Sequence, residues 1–230
     1  MGWVVIKRIF YYGLLALLVL QGWYLGHVLW WMHFNPGETA FMEAGLERLQ
    51  EKRPQAQLKH RWVEYERISI HLKRAVVAAE DSSFIAHEGF DWEGIEKAVE
   101  KNIKKRRFAA GGSTISQQLA KNLFLSASKN PLRKAEEAVI TVMIETLWSK
   151  RRILEVYLNV IEWGNGVYGA EVASQRYFGG TAASIGPGEA AHLAAMIPRP
   201  RYYETHRGAP GLLKRQGIIA ERMWKVSVPR

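Results

Sequence analysis

Four clusters along the 230-residue chain hold side chains able to do chemistry. The first, Glu80-Asp81-Ser82-Ser83-Phe84-Ile85-Ala86-His87-Glu88-Gly89-Phe90-Asp91, follows a small, apolar run at residues 75–79. A helix ending there sets Glu80 and Asp81 against the negative end of its dipole and a partly apolar wall, which suits a carboxylate that must pick up a proton. The plain alternative is a solvated acidic pair closing a helix. The second cluster, Gly111-Gly112-Ser113-Thr114-Ile115-Ser116-Gln117-Gln118-Leu119-Ala120-Lys121-Asn122, leads from paired glycines into a helix start whose free N–H groups can receive a phosphate-like anion. Lys121 shares a helical face with Gln117 and Gln118, although ordinary capping also explains the Gly-Gly-Ser-Thr run. In the third, Arg133-Lys134-Ala135-Glu136-Glu137, Arg133 and Glu137 stand four apart on one face. Arginine suits bidentate phosphate contacts, and a structural Arg-Glu pair is the competing reading. The fourth, Lys150-Arg151-Arg152-Ile153-Leu154-Glu155-Val156-Tyr157-Leu158-Asn159, reads as an amphipathic helix with a charged start.

The elements that must position these clusters are helical almost throughout. The periodicity predicts helices near 69–81, 92–105, 114–126, 132–149, 151–163, 167–178, 188–197 and 211–225, with no convincing strand of period two. Thr114 and Gln117 have the spacing of a capping box, and Pro131 sits just before a helix. The second half of 132–149 has hardly any polar face, so this helix is expected at the buried centre. Asn35-Pro36-Gly37 breaks the chain ahead of a charged amphipathic stretch. The expected organisation is a cytoplasmic N-terminus at 1–8, a transmembrane helix at 9–32, a stalk at 33–67 and an all-α catalytic domain at 68–230.

Charge and composition narrow the classes. The net charge is +10, and residues 1–34 hold only Lys7 and Arg8, so the globular part is itself basic and suits phosphates, anionic headgroups or nucleic acid. With no cysteine, thiol catalysis, thiolate metal sites and disulfides are excluded. Residues 9–32 carry no Asp, Glu, Lys or Arg, and as a helix they reach about 36 Å, enough to span the ~30 Å hydrocarbon core. Tyr11 and Tyr12 mark one interface, and Trp23, Tyr24, Trp30 and Trp31 the other. Lys7 and Arg8 precede the span, and no Lys or Arg follows before Arg48, which puts the N-terminus in the cytoplasm and the domain outside. An outside domain makes nucleic acid an unsuitable partner. A cleaved signal peptide is the alternative, but the apolar stretch is long and no small-x-small cleavage site follows it.

Taken together, Glu-Asp-x-x-Phe-x-x-His-x-Gly-Phe-Asp, Gly-Gly-Ser-Thr-Ile-x-Gln-Gln, Arg-Lys-x-x-Glu and Lys-x-x-Ile-Leu-Glu-x-Tyr-Leu-Asn closely resemble the successive motifs of the family 51 peptidoglycan glycosyltransferases. The resemblance runs from about Val76 to Tyr203 and departs from the usual pattern at Ser116, where the family more often has Thr. With no transpeptidase domain before Arg230, it points to the monofunctional biosynthetic members. It implies a lysozyme-like helical domain that joins lipid II units into a β-1,4 glycan and releases undecaprenyl pyrophosphate. Glu80 is then the general base, and Glu137 orients Arg133, Lys121 or a divalent ion. Asp81, Ser113, Thr114, Gln117, Gln118, Lys121, Arg133 and Lys134 are the expected substrate and pyrophosphate contacts. Phe84, His87, Gly89, Asp91, Gly111, Gly112, Lys150, Glu155, Tyr157 and Asn159 complete the motifs as scaffold.

Mg2+ or Mn2+ bridging the two phosphates is a plausible cofactor, which nothing in the sequence requires. Lipid II, the growing strand and membrane lipids are the expected partners, with other cell-wall synthesis proteins beyond them. Phe108, Leu123, Phe124 and Leu125 are expected to dip into the bilayer, and the basic runs 104–107 and 150–152 either to meet anionic lipid or to be solvated. Two rival readings are a glycan-cleaving hydrolase, which would leave Lys121 and Arg133 without a purpose, and a basic membrane-anchored scaffold.

Overall fold

Five helices open on side chains suited to the free N–H groups of a first turn. Thr39, Ser69, Thr114, Asn130 and Ser149 each accept a hydrogen bond from the backbone two or three residues on. In the computed structural model, which describes residues 2–105, 112–128 and 130–230, these caps start α2 (Ala40–Gln50), α3 (Ile70–Glu80), α5 (Ile115–Phe124), α6 (Pro131–Leu147) and α7 (Lys150–Val160). The capping box between Thr114 and Gln117 is formed in full. The other helices are α1 (Gly2–Trp31), α4 (Trp92–Lys105), α8 (Ala170–Phe178), α9 (Pro187–Met196), α10 (Pro200–Thr205) and α11 (Pro210–Arg222). The chain is mainly helical, as the periodicity predicts.

The buried centre is α7 rather than α6. Residues 153–160 are all buried, Glu155 and Asn159 among them, and α7 packs on α5, α6 and α8. Of α6, Glu137, Ile140, Thr141 and Ile144 are buried, whereas Leu132, Val139 and Val142 are exposed. An apolar residue on every face shows that water is avoided and does not say what replaces it. Here α5, α1 and α7 pack on α6 and leave the face that carries Leu132, Val139 and Val142 bare.

Two strands stand where helix was expected. The 151–163 helix stops at Val160, and β2 (Glu162–Gly164) pairs antiparallel with β3 (Val167–Tyr168) through the two-residue turn Asn165-Gly166. Gly166 takes φ 74°, the left-handed conformation that such a turn needs. The third strand, β1 (Lys59–His60), pairs parallel with β3.

β1 belongs to the segment expected as a stalk, and that segment is built into the domain. α2 packs against α5, Met42 is buried, and the Tyr168 hydroxyl donates to Phe41 O at 2.9 Å. The fully buried Asn159 holds the next stretch: Oδ1 accepts from Val63 N, and Nδ2 donates to Val63 O and Glu155 O, each at 2.9 Å. The Tyr65 N–H donates to Glu155 Oε1 at 2.9 Å.

α1 is long and apolar enough to cross a membrane. Its last turns are docked on the domain, where Tyr24 and Val28 are buried. Phe124 lies among Tyr24, Trp31, Trp23 and His27, with ring centres 5.1 to 6.3 Å away. Leu123, Phe124 and Leu125 are therefore buried, not dipped into lipid; Phe108 lies outside the described residues. Trp148 Nε1 donates to Val28 O at 2.8 Å. Arg152 closes the end of α1 by donating to Trp31 O and Phe34 O, satisfying carbonyls that a helix terminus leaves free. Within the basic run 150–152, Lys150 pairs with Glu145, and Arg151 pairs at the surface with Glu66.

Replacing Asn159 by Leu strands the N–H and C=O of Val63 in the interior. It should cost about 2–4 kcal/mol, read as a fall of roughly 5–15 °C in thermal midpoint for a chain of this size in detergent; an unchanged midpoint would show that the 60–65 segment is held by other contacts.

Candidate active site

Asp81 ends α3 by leaving helical geometry at φ −163°, ψ 76°. Its carboxylate then ties three pieces of chain together. His87 Nδ1 accepts from Gly89 N at 3.1 Å, so Nε2 carries the proton and donates to Asp81 Oδ1 at 2.9 Å. The Ile115 N–H, in the first turn of α5, donates to Asp81 Oδ2 at 3.0 Å. With both oxygens taken and the side chain 1% exposed, Asp81 clamps the first two motifs together while lining the same cavity as Glu80.

Thr114 and Gln117 are likewise spent on structure. Thr114 Oγ1 donates to Gly89 O at 2.7 Å, and Gln117 Oε1 accepts from Thr114 N at 3.0 Å. Gly89 is at φ 89°, and a Cβ there would sit 2.8 Å from Thr141 Cγ2 and 2.9 Å from Glu145 Cγ of α6, so only glycine fits. Asp91 accepts from Ser83 Oγ and Gly94 N, bonds that hold its carboxyl below the usual 3.8. Phe84 is buried beneath Lys150 Nζ, 4.7 Å from the ring centre, and Lys150 pairs with Glu145 at 2.8 Å. Gly111 lies outside the described residues.

Glu80 is left facing a cavity of about 220 Å³, with Ser82, Gly112, Ser113 and Arg222 on its walls. Both carboxylate oxygens are positioned. Gln118 Nε2 donates to Oε2 at 2.9 Å, and Arg215 NH2 donates to Oε1 at 2.8 Å and to Ala79 O at 3.2 Å. Gln118 accepts in turn from the Tyr157 hydroxyl at 2.9 Å. Burial, and then Glu80 and Asp81, push the Tyr157 phenol well above 10.0, so it remains a donor. Arg215 and Arg222 were not legible as site residues; their spacing of seven, two helical turns on one face of α11, was the available signal.

The cations gather one turn beyond Gln118. Lys121 forms no ion pair among the described residues, its Nζ standing 5.4 Å from the centre of the Phe41 ring. Burial lowers its pKa from 10.5; Glu137 opposes that, Arg133 and Lys134 add to it, and Glu80 opposes it. Glu137, 3% exposed, accepts from Arg133 NH1 at 2.6 Å and also pairs with Lys134. Arg133 Nε donates to Ser128 O at 2.6 Å. Glu137 therefore holds both Arg133 and Lys134 in place. No grouping of three or more His, Asp or Glu side chains that could hold a metal ion occurs among the described residues.

A comparison with known protein families matches residues 47–224 to Transglycosylase. The chain is 60% identical over 228 residues to the biosynthetic peptidoglycan transglycosylase of Methylobacillus flagellatus, an alignment covering 97% of this chain and 100% of that one. It is 63% identical over 218 residues to that of Dechloromonas aromatica and 62% over 217 residues to that of Aromatoleum aromaticum, with 94% of each chain covered. The chain belongs to the biosynthetic peptidoglycan transglycosylases. It is thus an enzyme, a peptidoglycan glycosyltransferase, and the resemblance drawn from its four motifs is the right one. The family match begins inside α2, in keeping with a domain that takes in the segment expected as a stalk.

If Lys121 must be charged to act, its lowered pKa brings the loss of charge into a range below that of an ordinary lysine. The alkaline fall of kcat/KM should then come below pH 10.5, and Lys121→Arg, whose guanidinium stays protonated, should move it upward. A fall unmoved in the arginine variant would assign it to another group.

Proposed function

We propose that the chain polymerises glycan strands from lipid II at the Glu80 cavity, releasing undecaprenyl pyrophosphate, with Glu80 as general base. The reading rests on one juxtaposition: a carboxylate aligned by Gln118 and Arg215 at a cavity wall, and close by an unpaired, partly buried Lys121 beside Arg133 and Lys134. In the reaction the 4-hydroxyl oxygen of the incoming lipid II bonds to C1 of the growing chain. The bond from C1 to the pyrophosphate oxygen breaks with its electron pair, and the hydroxyl proton passes to Glu80. Attack opposite the leaving group inverts the α-linkage to β.

Pyrophosphate is a good leaving group once its charge is met, so cations matter more than a general acid. Lys121 and Arg133 supply that charge, Glu137 keeps Arg133 and Lys134 turned toward it, and the exposed Ser113 at the cavity wall adds a neutral hydrogen bond. Arg215 positions Glu80 without touching the sugar. The N-terminus lies in the cytoplasm and the domain outside, by the charge bias around α1. The exposed apolar residues Trp92, Val99 and Ile103 of α4 and Leu132, Val139 and Val142 of α6 meet the bilayer surface in place of Leu123, Phe124 and Leu125.

Purified protein given labelled lipid II should make polymer, and Glu80→Gln should lower turnover by about 10²–10⁴. Lys121→Ala and Arg133→Ala should each lower kcat by about 10²–10³, while Gln117→Ala should act chiefly on thermal stability. Cleavage of preformed glycan in place of synthesis, or an unimpaired Glu80→Gln, would overturn the reading.

A further inference from the structure

The other end of α3 carries a second concentration of positive charge that the reaction does not use. Lys73 is only 7% exposed, forms no ion pair among the described residues, and sets its Nζ 3.8 Å from the centre of the Tyr65 ring. The Arg151 guanidinium stands 4.6 Å from the centre of the same ring. Tyr65 cannot swing away, because its N–H is held by Glu155 and its hydroxyl donates to Pro229 O at 2.6 Å. Arg151 is paired with Glu66, so Lys73 is the cation on this ring left with no carboxylate in contact among the described residues, and a bound anion would supply one. Arg74, on the same rim, has a buried Nε with no hydrogen-bond partner.

These groups open into a cleft of about 470 Å³ whose far wall is the C-terminal stretch 226–230. Val226 and Val228 pack on the core and fix that wall. The one acidic side chain on the lining, Glu66, is taken by Arg151. Lys73 lies seven residues before Glu80, roughly 10 Å along the helix, and the two cavities have no lining residue in common. Along α7 the cleft's Arg151 is followed by Arg152, which donates to Trp31 O and Phe34 O where the chain leaves the apolar helix, so cleft and helix end are neighbours along α7. A basic pocket at such an exit is where an acidic headgroup is within reach.

We propose that the cleft formed by Tyr65, Lys73, Arg74 and Arg151 is an anion-binding site separate from the catalytic cavity, and that it takes the phosphate of an acidic membrane lipid. A phosphodiester offers oxygens to Lys73 and Arg74 together, and the cleft has room for the glycerol beyond it. The lipid source rests on reading α1 as membrane-spanning; the anion site does not.

The test uses the full chain in detergent with Lys121→Ala, which weakens phosphate binding at the catalytic cavity, titrated calorimetrically with dihexanoyl phosphatidylglycerol, dihexanoyl phosphatidylcholine and inorganic phosphate. Saturable binding of phosphatidylglycerol, little of phosphatidylcholine, and a loss of about tenfold or more on adding Lys73→Met or Arg74→Gln is the expected result. Lys73→Met removes a buried charge and should fold at least as stably, which a thermal midpoint checks; Arg74→Gln serves independently. Inorganic phosphate binding as tightly as the lipid would overturn the lipid source and keep the anion site. No saturable binding, or affinity unchanged in both variants, would overturn the site itself.

Discussion

The catalytic end of the molecule is organised around one buried carboxylate, that of Asp81. It receives the His87 ring N–H and the Ile115 backbone N–H at once, and so pins the end of α3, the loop after it and the start of α5 to a common point. Because Asp81 follows Glu80 directly, the backbone it anchors also fixes where Glu80 can go. The start of α5 fixed by the same carboxylate carries Gln118 to the other oxygen of Glu80 three residues later. A negative charge at a helix N-terminus is favourable in itself, so the joint that aligns the site also stabilises the fold.

Charge is distributed around that joint with a consistent logic. Glu80, Asp81, Glu137 and Glu145 each have defined partners. Lys121 does not, and burial makes its charge costly to keep. A cation held without a counter-ion in a partly buried place is ready to gain the most when negative charge builds on a leaving group nearby. The relay from Tyr157 through Gln118 to Glu80 adds direction, since a phenol that stays protonated fixes the amide with its NH2 toward the carboxylate.

Much of this was legible in the chain itself. Serines, threonines and an asparagine at the right offsets announced the helix starts, and the Thr114–Gln117 capping box formed as its spacing required. The motifs located Glu80, Lys121, Arg133 and Glu137, although residue types alone could not divide ligand contacts from braces. Thr114, Gln117 and Asp81 look like ligand residues by chemistry, and the geometry shows each of them bracing the fold as well. Arg215 was missed because its partnership with Glu80 spans 135 residues of sequence, and nothing local marks such a pair. The Asn165-Gly166 hairpin had a recognisable turn signal, overridden by helical periodicity on both sides. α6 was placed at the centre because an all-apolar surface reads as buried whether protein or lipid covers it.

The docking of α1 removes slack between anchor and enzyme. Trp148, Phe124 and Arg152 grip its last turns, so the uncharged run left before Tyr24, residues 9–23, reaches about 22 Å against a hydrocarbon layer of about 30 Å. If α1 crosses a bilayer, a run this short is met by local thinning or by Lys7 and Arg8 reaching out to the surface, because the docked turns cannot slide in to lengthen it. The same contacts that fix the end of α1 on the domain would then hold the domain close against the membrane.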